Sequence, residues 1–201
     1  MFNGIVEAVA KVEQISSRSE KGDWINIRML IQAPVYFKKD IGPGQSIAVN
    51  GACLTVVQWV QNSFWVDVSR ETGEKTYFKE LKVGDPVNLE RPLKLSDRIH
   101  GHWVTGHIDG VGKVDAIKKE GEFLNFTIKL PRSLAADVIQ KGSIAIDGTS
   151  LTINDCRGDK IQVMLIPETL RKTTLGKKKE GDFVQVELDL LGKYIKKWVK
   201  V

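Results

Sequence analysis

The sequence predicts an all-β chain: two similar small antiparallel barrels in tandem, followed by a short C-terminal α-helix. Three observations predict it. The chain repeats itself over about half its length, each copy alternates apolar and polar residues with a period of two, and each copy turns on Asn-Gly or Asp-Gly. The repeat is clearest where Ile47 to Val56 (Ile-Ala-Val-Asn-Gly-Ala-Cys-Leu-Thr-Val) returns as Ile144 to Ile153 (Ile-Ala-Ile-Asp-Gly-Thr-Ser-Leu-Thr-Ile). Both run apolar into a turn and resume as a strand, and both place a nucleophilic side chain two residues past the turn glycine. One copy offers Cys53 and the other Ser150.

Phe2 to Ile15 and Val104 to Ile117 align without a gap, sharing Gly, Val, Lys, Val and Ile, and read as a first strand leading into hairpin loops at 16–22 and 118–121. In the next strand Ile25, Ile27, Met29 and Ile31 share one face, opposite Trp24, Asn26, Arg28 and Leu30. Leu124, Phe126, Ile128 and Leu130 repeat the pattern against Asn125, Thr127 and Lys129, as a sheet with one face in a core requires. Short stretches opening on Pro34 and Pro131 suit brief helices. Beyond the repeated turn, Phe64 to Val68 pairs with Ile161 to Leu165, and Glu71-Thr72 with Glu168-Thr169. The segment from Gly84 to Glu90 pairs with that from Gly181 to Glu187. A unit this long closes its own core, and many short strands with almost no helical periodicity indicate barrels that close to remove their edges.

The joint falls near 91–101, which divides the chain into a first barrel over 1–97, a second over 98–189 and a terminal helix over 190–201. With no long Gly/Ser linker there, the barrels are expected to sit against each other. In the terminal stretch Leu191, Tyr194, Ile195, Trp198 and Val199 recur at helical spacing, with Lys193, Lys196, Lys197 and Lys200 largely on the other side. A helix this short is marginal alone, so its apolar stripe implies a subunit contact in preference to a membrane surface.

Of 201 residues, 42% are hydrophobic, enough for one good core or two small ones, and the repeat selects two. The formal charge of +5 resides largely in Lys172, Lys177, Lys178, Lys179 and the C-terminal lysines. No aromatic residues interleave with that run, so it reads as a solvated surface and not a nucleic-acid platform. Cys53 and Cys156 stand outside any Cys-x-x-Cys pair, as expected for reduced thiols. The N-terminus has no signal-peptide pattern and no apolar run approaches the roughly 18 residues of a membrane span, so a soluble cytoplasmic protein is expected.

Candidate chemistry concentrates in a few places. His100, His102 and His107 lie close together, but on a regular strand His102 and His107 would face opposite ways, and no Cys or carboxylate ligands accompany them. A metal site is therefore not expected. His102 or His107 is better suited to carry protons at a site between the barrels. Thr55 and Thr152 share a strand face with Cys53 and Ser150 and could line pockets with them. Asn50 and Asp147 could be turn formers only, and Lys141 a solvated charge.

Met-Phe-x-Gly-Ile-Val at the N-terminus, Asn-Gly-x-Cys-Leu-Thr-Val, Gly-His-x-Val-x-Gly-His-Ile-Asp-Gly, Ile-Asp-Gly-x-Ser-Leu-Thr, and Ile-Pro-Glu-Thr-Leu followed by Thr-Thr-Leu together resemble the riboflavin synthase α-chain family over nearly the whole chain. The resemblance implies six-stranded Greek-key barrels and a homotrimer joined through C-terminal helices, with association with lumazine synthase. It implies conversion of two 6,7-dimethyl-8-ribityllumazine molecules into riboflavin and 5-amino-6-ribitylaminouracil by four-carbon transfer, without metal or cofactor. Two copies of one fold would then hold two copies of one substrate and lower the entropic cost of their encounter.

By the same resemblance, substrate contacts in the first barrel fall on Gly4, Ile5, Val6, Ser46, Cys53, Leu54, Thr55 and the segment Asp67, Val68, Ser69, Arg70, Glu71, Thr72. Those in the second fall on Gly106, His107, Ile108, Lys141, Asp147, Ser150, Leu151, Thr152 and the segment Ile166, Pro167, Glu168, Thr169, Leu170, Arg171. Ser150 and Thr152 would orient the donor or a water, His102 or His107 would assist proton transfer from the ring methyl, and Cys53 would support the other pocket. Phe2 and His102 would lie near a subunit border. Asn3 and His100 depart from the family's usual threonine and glycine. The competing readings are a non-enzymatic lumazine- or flavin-binding antenna of the same family, and an oligonucleotide-binding barrel.

Overall fold

The computed structural model describes residues 1–20 and 24–199. The loop expected at 16–22 lies partly outside the described residues, as does Lys200, and the side chains at 17–26 are not described.

The first six strands are β1 (Ala8–Glu20), β2 (Trp24–Gln32), β3 (Ser46–Val49), β4 (Ala52–Val60), β5 (Ser63–Val68) and β6 (Pro86–Glu90). They pair antiparallel in the order β1-β2-β5-β4-β3-β6, and β6 returns to β1 to close the ring. The second six are β7 (Gly110–Glu120), β8 (Phe123–Lys129), β9 (Ser143–Ile146), β10 (Thr149–Arg157), β11 (Lys160–Leu165) and β12 (Phe183–Leu188). They close in the same way, in the order β7-β8-β11-β10-β9-β12. The two barrels of the sequence reading are thus observed, each with its own core. Ile27, Met29 and Ile31 fill the first while Arg28 between them is exposed, and Phe126, Ile128 and Leu130 fill the second.

The brief helices after the prolines form as α1 (Val35–Asp40) and α3 (Arg132–Ala135), with Pro34 and Pro131 at their N-caps. Two further helices escaped the sequence reading: α2 (Arg70–Lys75), capped by the Ser69 side chain, and α4 (Pro167–Lys172), with Pro167 in its first turn. At six residues each they are too short to show a helical period. The terminal helix α5 (Leu190–Trp198) is capped by Asp189. Lys193 and Lys196 tie it to Asp109 and Asp137 of the second barrel, and Leu191, Tyr194, Ile195 and Trp198 face outward.

Expected boundaries shift at both ends of the first strand of each copy: β1 and β7 run on to Glu20 and Glu120, past the starts at 16 and 118 expected for the hairpin loops. The aligned segments were read as strands from Phe2 and Val104, but regular pairing starts only at Ala8 and Gly110. Gly4 and Gly106 take φ of 75° and 81°, which breaks an extended chain and frees the residues before them to reach across the molecule.

A duplicated site at the barrel junction

Phe2 and Val104 form an isolated antiparallel bridge, with Phe2 N donating to Val104 O at 2.8 Å. Phe2, Ala48, Val104 and Ala145 bury one another there, with Cys53 packed against them. The bridge carries each N-terminal segment onto the opposite barrel. Ser150 N donates to Gly4 O at 2.8 Å, and Cys53 N donates to Gly106 O at 2.9 Å. Both glycines are required by contact as well as by φ: a Cβ on Gly4 would lie 2.7 Å from Ser150 N, and one on Gly106 2.5 Å from the Cys53 Cβ.

The repeated turns meet back to back. Gly51 and Gly148, at φ of 85° and 76°, approach so closely that a Cβ on either would fall 2.6 Å from the backbone nitrogen of the other. The residues before them, Asn50 and Asp147, are fully buried at positive φ, so they are more than turn formers. Asp147 faces Lys178 Nζ at 3.1 Å and accepts from Gln185 N at 2.7 Å. Tyr77 Oη donates to it at 3.1 Å and accepts from Asn50 Nδ2 at 3.0 Å. Burial pushes the Asp147 carboxyl up, and Lys178 opposes that rise. The resemblance made Asp147 a substrate contact, but the structure seals it in the junction with no exposed surface, where it joins the barrels. Tyr77 had not been singled out, and Lys178, read with Lys177 and Lys179 as solvated surface charge, is instead largely buried against Asp147 and Tyr77.

Ser150 has a partner of its own. Its Oγ lies 2.7 Å from His102 Nδ1, and His102 N donates to Asn3 O at 3.3 Å. Burial lowers the pKa of His102, keeping the ring neutral near neutral pH, and its Nε2 has no hydrogen-bond partner among the described residues. A neutral imidazole bound to a hydroxyl can hold or pass one proton. His107 goes elsewhere. The expectation that the two histidines occupy opposite faces of one strand fails because no regular strand runs there; the Val104 bridge and Gly106 separate them.

His107 lines a cavity of about 370 Å³ with Cys53, Glu71, Thr72, Lys75, Gly106 and Ile108. The sequence grouping is thereby crossed: Gly106, His107 and Ile108, assigned with the second barrel, lie against the first, and Gly4, assigned with the first, holds Ser150 of the second. The cause is the Phe2–Val104 exchange. Ile5 and Ser46 do meet, in a larger cavity of about 790 Å³ that also includes Asn3, Glu90 and His100.

The other candidates divide by burial. Thr55 and Thr152 are exposed one step along from Cys53 and Ser150, opposite Ser46 and Ser143 in register. Leu54 and Val68 point into the first core and Val6 is buried, while Leu151 packs against the second core. Their side chains hold the barrel walls in place. Lys141 is exposed in the left-handed region at φ 67°, just before β9. Asp67 is held below the usual carboxylate range by Arg28, and Arg70 pairs with Glu74. In α4, Lys172 and Arg171 lower Glu168 to about 2. Ile166 and Pro167 open that helix, and Thr169 O and Leu170 N hold its backbone together.

Among the described residues no cluster of His, Cys, Asp or Glu could hold a metal, and no helix is long and apolar enough to cross a membrane.

Two barrels exchanging their leading segments over one duplicated turn define a tandem repeat of one domain. The family model for the lumazine binding domain matches residues 3–92 and 105–189. The chain is 42% identical to riboflavin synthase from Actinobacillus pleuropneumoniae over 200 residues, covering 99% of this chain and 90% of that one. It is 40% identical to riboflavin synthase from Schizosaccharomyces pombe over 202 residues, covering 100% and 94%. A structure of LumP complexed with riboflavin superposes with a TM-score of 0.84 at 31% identity, covering 94% of this chain and 99% of that one. LumP complexed with 6,7-dimethyl-8-(1'-D-ribityl) lumazine gives 0.83 at 30% identity with the same coverage. The chain belongs to the riboflavin synthase family, and it is an enzyme, a transferase in the general sense.

Proposed function

We propose that the chain catalyses the dismutation of two 6,7-dimethyl-8-ribityllumazine molecules to riboflavin and 5-amino-6-ribitylaminouracil. The observation that carries this reading is the pair of back-to-back turns, alike in backbone and unlike in chemistry, one ending in Cys53 and the other in Ser150 paired to His102 at 2.7 Å. The reaction needs two identical substrates held close, one giving four carbons and the other accepting them. A duplicated fold provides two similar sites, and the differing side chains make them unequal. The atoms of two substrates equal those of the two products, so the balance needs no oxidant or reductant.

In this reading Ser150 and Thr152 orient one substrate, and Cys53 and Thr55 support the other. Neutral His102 takes up or relays a proton from the acidic ring methyl, with Ser150 Oγ holding the ring in place. His107 and Lys75 serve the Cys53 pocket. The remaining candidates on the two barrels, apart from the sealed Asp147, form the walls. The outward apolar face of α5 supports a homotrimer, and the reading extends to association with lumazine synthase and to the cytoplasm. Light scattering tests the trimer: deletion of 190–201 should reduce the species to a smaller one.

The activity is tested by incubating the purified protein with 6,7-dimethyl-8-ribityllumazine and following riboflavin. Formation of riboflavin and the pyrimidine in equal amounts supports the reading. Tight binding without turnover would make the chain a binding protein like LumP, whose structures hold lumazine and riboflavin. Wild-type turnover in both folded Ser150→Ala and folded His102→Ala would overturn the roles given to those residues.

A further inference from the structure

Each barrel carries, at or next to the end of its last strand, a buried glutamate with no role given so far. Glu90 closes β6 at 5% exposure, and Glu187, one residue before the end of β12, is 1% exposed. Glu90 accepts from Asn3 N at 2.8 Å and Gly4 N at 3.1 Å, with Ile5 N–H as a further donor. Glu187 accepts from Thr105 N at 2.7 Å, Thr105 Oγ1 at 2.7 Å and Gly106 N at 2.9 Å. The glycine in each set is the one whose carbonyl accepts the backbone N–H of a nucleophile on the other barrel. Two relays follow: Glu90 to Gly4 to Ser150, and Glu187 to Gly106 to Cys53.

We infer that Glu90 and Glu187 are positioning residues acting across the junction, Glu90 of the first barrel setting Ser150 of the second, and Glu187 of the second setting Cys53 of the first. The geometry allows little slack. Gly4 and Gly106 touch the nucleophile backbones on one side and are held by a carboxylate on the other, so a shift at the carboxylate is passed directly to Ser150 or Cys53. Only a carboxylate offers two acceptor oxygens to successive N–H groups; glutamine offers one oxygen and turns a donor NH2 toward the second N–H. The relays are also unequal. Thr105 adds a hydroxyl donor to Glu187, whereas Asn3 supplies none to Glu90 and leaves its own buried Oδ1 without a partner among the described residues. Glu90 is correspondingly the less well satisfied carboxylate, pushed up to about 7 chiefly by burial.

The inference deepens the proposed site, but its decisive test does not depend on turnover. In a Ser150→Cys/Cys156→Ala protein, the thiols at 53 and 150 are alkylated with iodoacetamide, and their peptides are read separately by mass spectrometry. Glu90→Gln should change the rate at position 150 about fivefold or more and leave 53 within twofold. Glu187→Gln should do the reverse. Asn3→Thr, which supplies the missing hydroxyl and should fold readily, should slow labelling at 150 alone. Equal effects of each glutamine variant at both thiols, or effects on the same-barrel thiol, would overturn the relays, as would no effect of any variant in folded protein. Turnover of 6,7-dimethyl-8-ribityllumazine in the Ser150-containing parent then tests the link to catalysis: kcat should fall about tenfold in Glu90→Gln with KM little changed. The crossed labelling pattern with no turnover in the parent would sink the enzymatic reading alone.

Discussion

The first barrel places Asn3, Asn50, Cys53 and Leu81 where the second places Thr105, Asp147, Ser150 and Lys178. Around these positions the halves are built alike, down to the strand order, the positive φ at the turns and the buried glutamate at or next to the end of the last strand. The halves differ in residue identity along their whole length, but Asn50 against Asp147 and Leu81 against Lys178 change charge where the halves meet. A residue inside a barrel sees the same surroundings in either copy. A residue at the junction sees the other half, so there the copies can diverge without cost to either core, and Asp147, Tyr77 and Lys178 use that freedom to build an ion-paired network with no counterpart on the other side. On the proposed function, unequal pockets for two molecules of one substrate would draw on this kind of local asymmetry.

The largest effect should come from removing what the halves share. Gly148→Ala places a Cβ 2.6 Å from Gly51 N at a φ of 76°, combining backbone strain with a clash that neither turn can relieve. A loss of about 4 kcal/mol is expected in denaturant unfolding, with Gly51→Ala similar; a large gap between them would show that the junction is less symmetric than its geometry.

Acid–base behaviour gives the next effect. The folded pKa of Glu90, about 7, lies above the ordinary 4.5, so the folded state holds the proton more tightly than the unfolded chain. The contribution of this group therefore favours folding most below the unfolded value and is lost as pH rises through the folded one. Across that window the loss is about 3 kcal/mol. Asn3→Thr should shrink it, measured as the difference in unfolding free energy between the variant and the parent at pH 5 and pH 8.

Activity should separate the two nucleophile positions. Ser150→Ala should lower kcat for riboflavin formation about a hundredfold, because it removes the partner of His102, whereas Cys53→Ala should cost less than about tenfold. Equal losses would mean that the inequality of the sites lies elsewhere.

The smallest effect tests the asymmetric lock. Asp147→Asn copies Asn50 into the second half and leaves Lys178 without its carboxylate, at about 2 kcal/mol in unfolding. Adding Lys178→Leu, which copies Leu81, should recover most of that loss; strict additivity of the two substitutions would show that the pair is not coupled.

Much of this was legible beforehand, for a physical reason. Alternation at Ile27, Met29 and Ile31 follows from strand geometry alone, and Asn50-Gly51 and Asp147-Gly148 announce turns because so few residues tolerate positive φ. The apolar stripe of α5 was legible in the same way. The short helices α2 and α4 were not, since a six-residue helix shows no period. Glu90 and Glu187 had been aligned with each other, and identical acids near the ends of equivalent strands were the available signal. Their role stayed hidden because their donors lie more than 80 residues away.

The sequence by itself determined that there are two closed barrels, where each turns, and that Cys53 and Ser150 occupy matching places, since these depend on local backbone preference and the burial period. Tertiary structure decided that Asp147 is sealed, that His102 meets Ser150, and that Gly4 and Gly106 serve the opposite barrels. Those outcomes depend on a single long-range exchange, the bridge between Phe2 and Val104, and no local pattern encodes which of two similar surfaces a segment will cover.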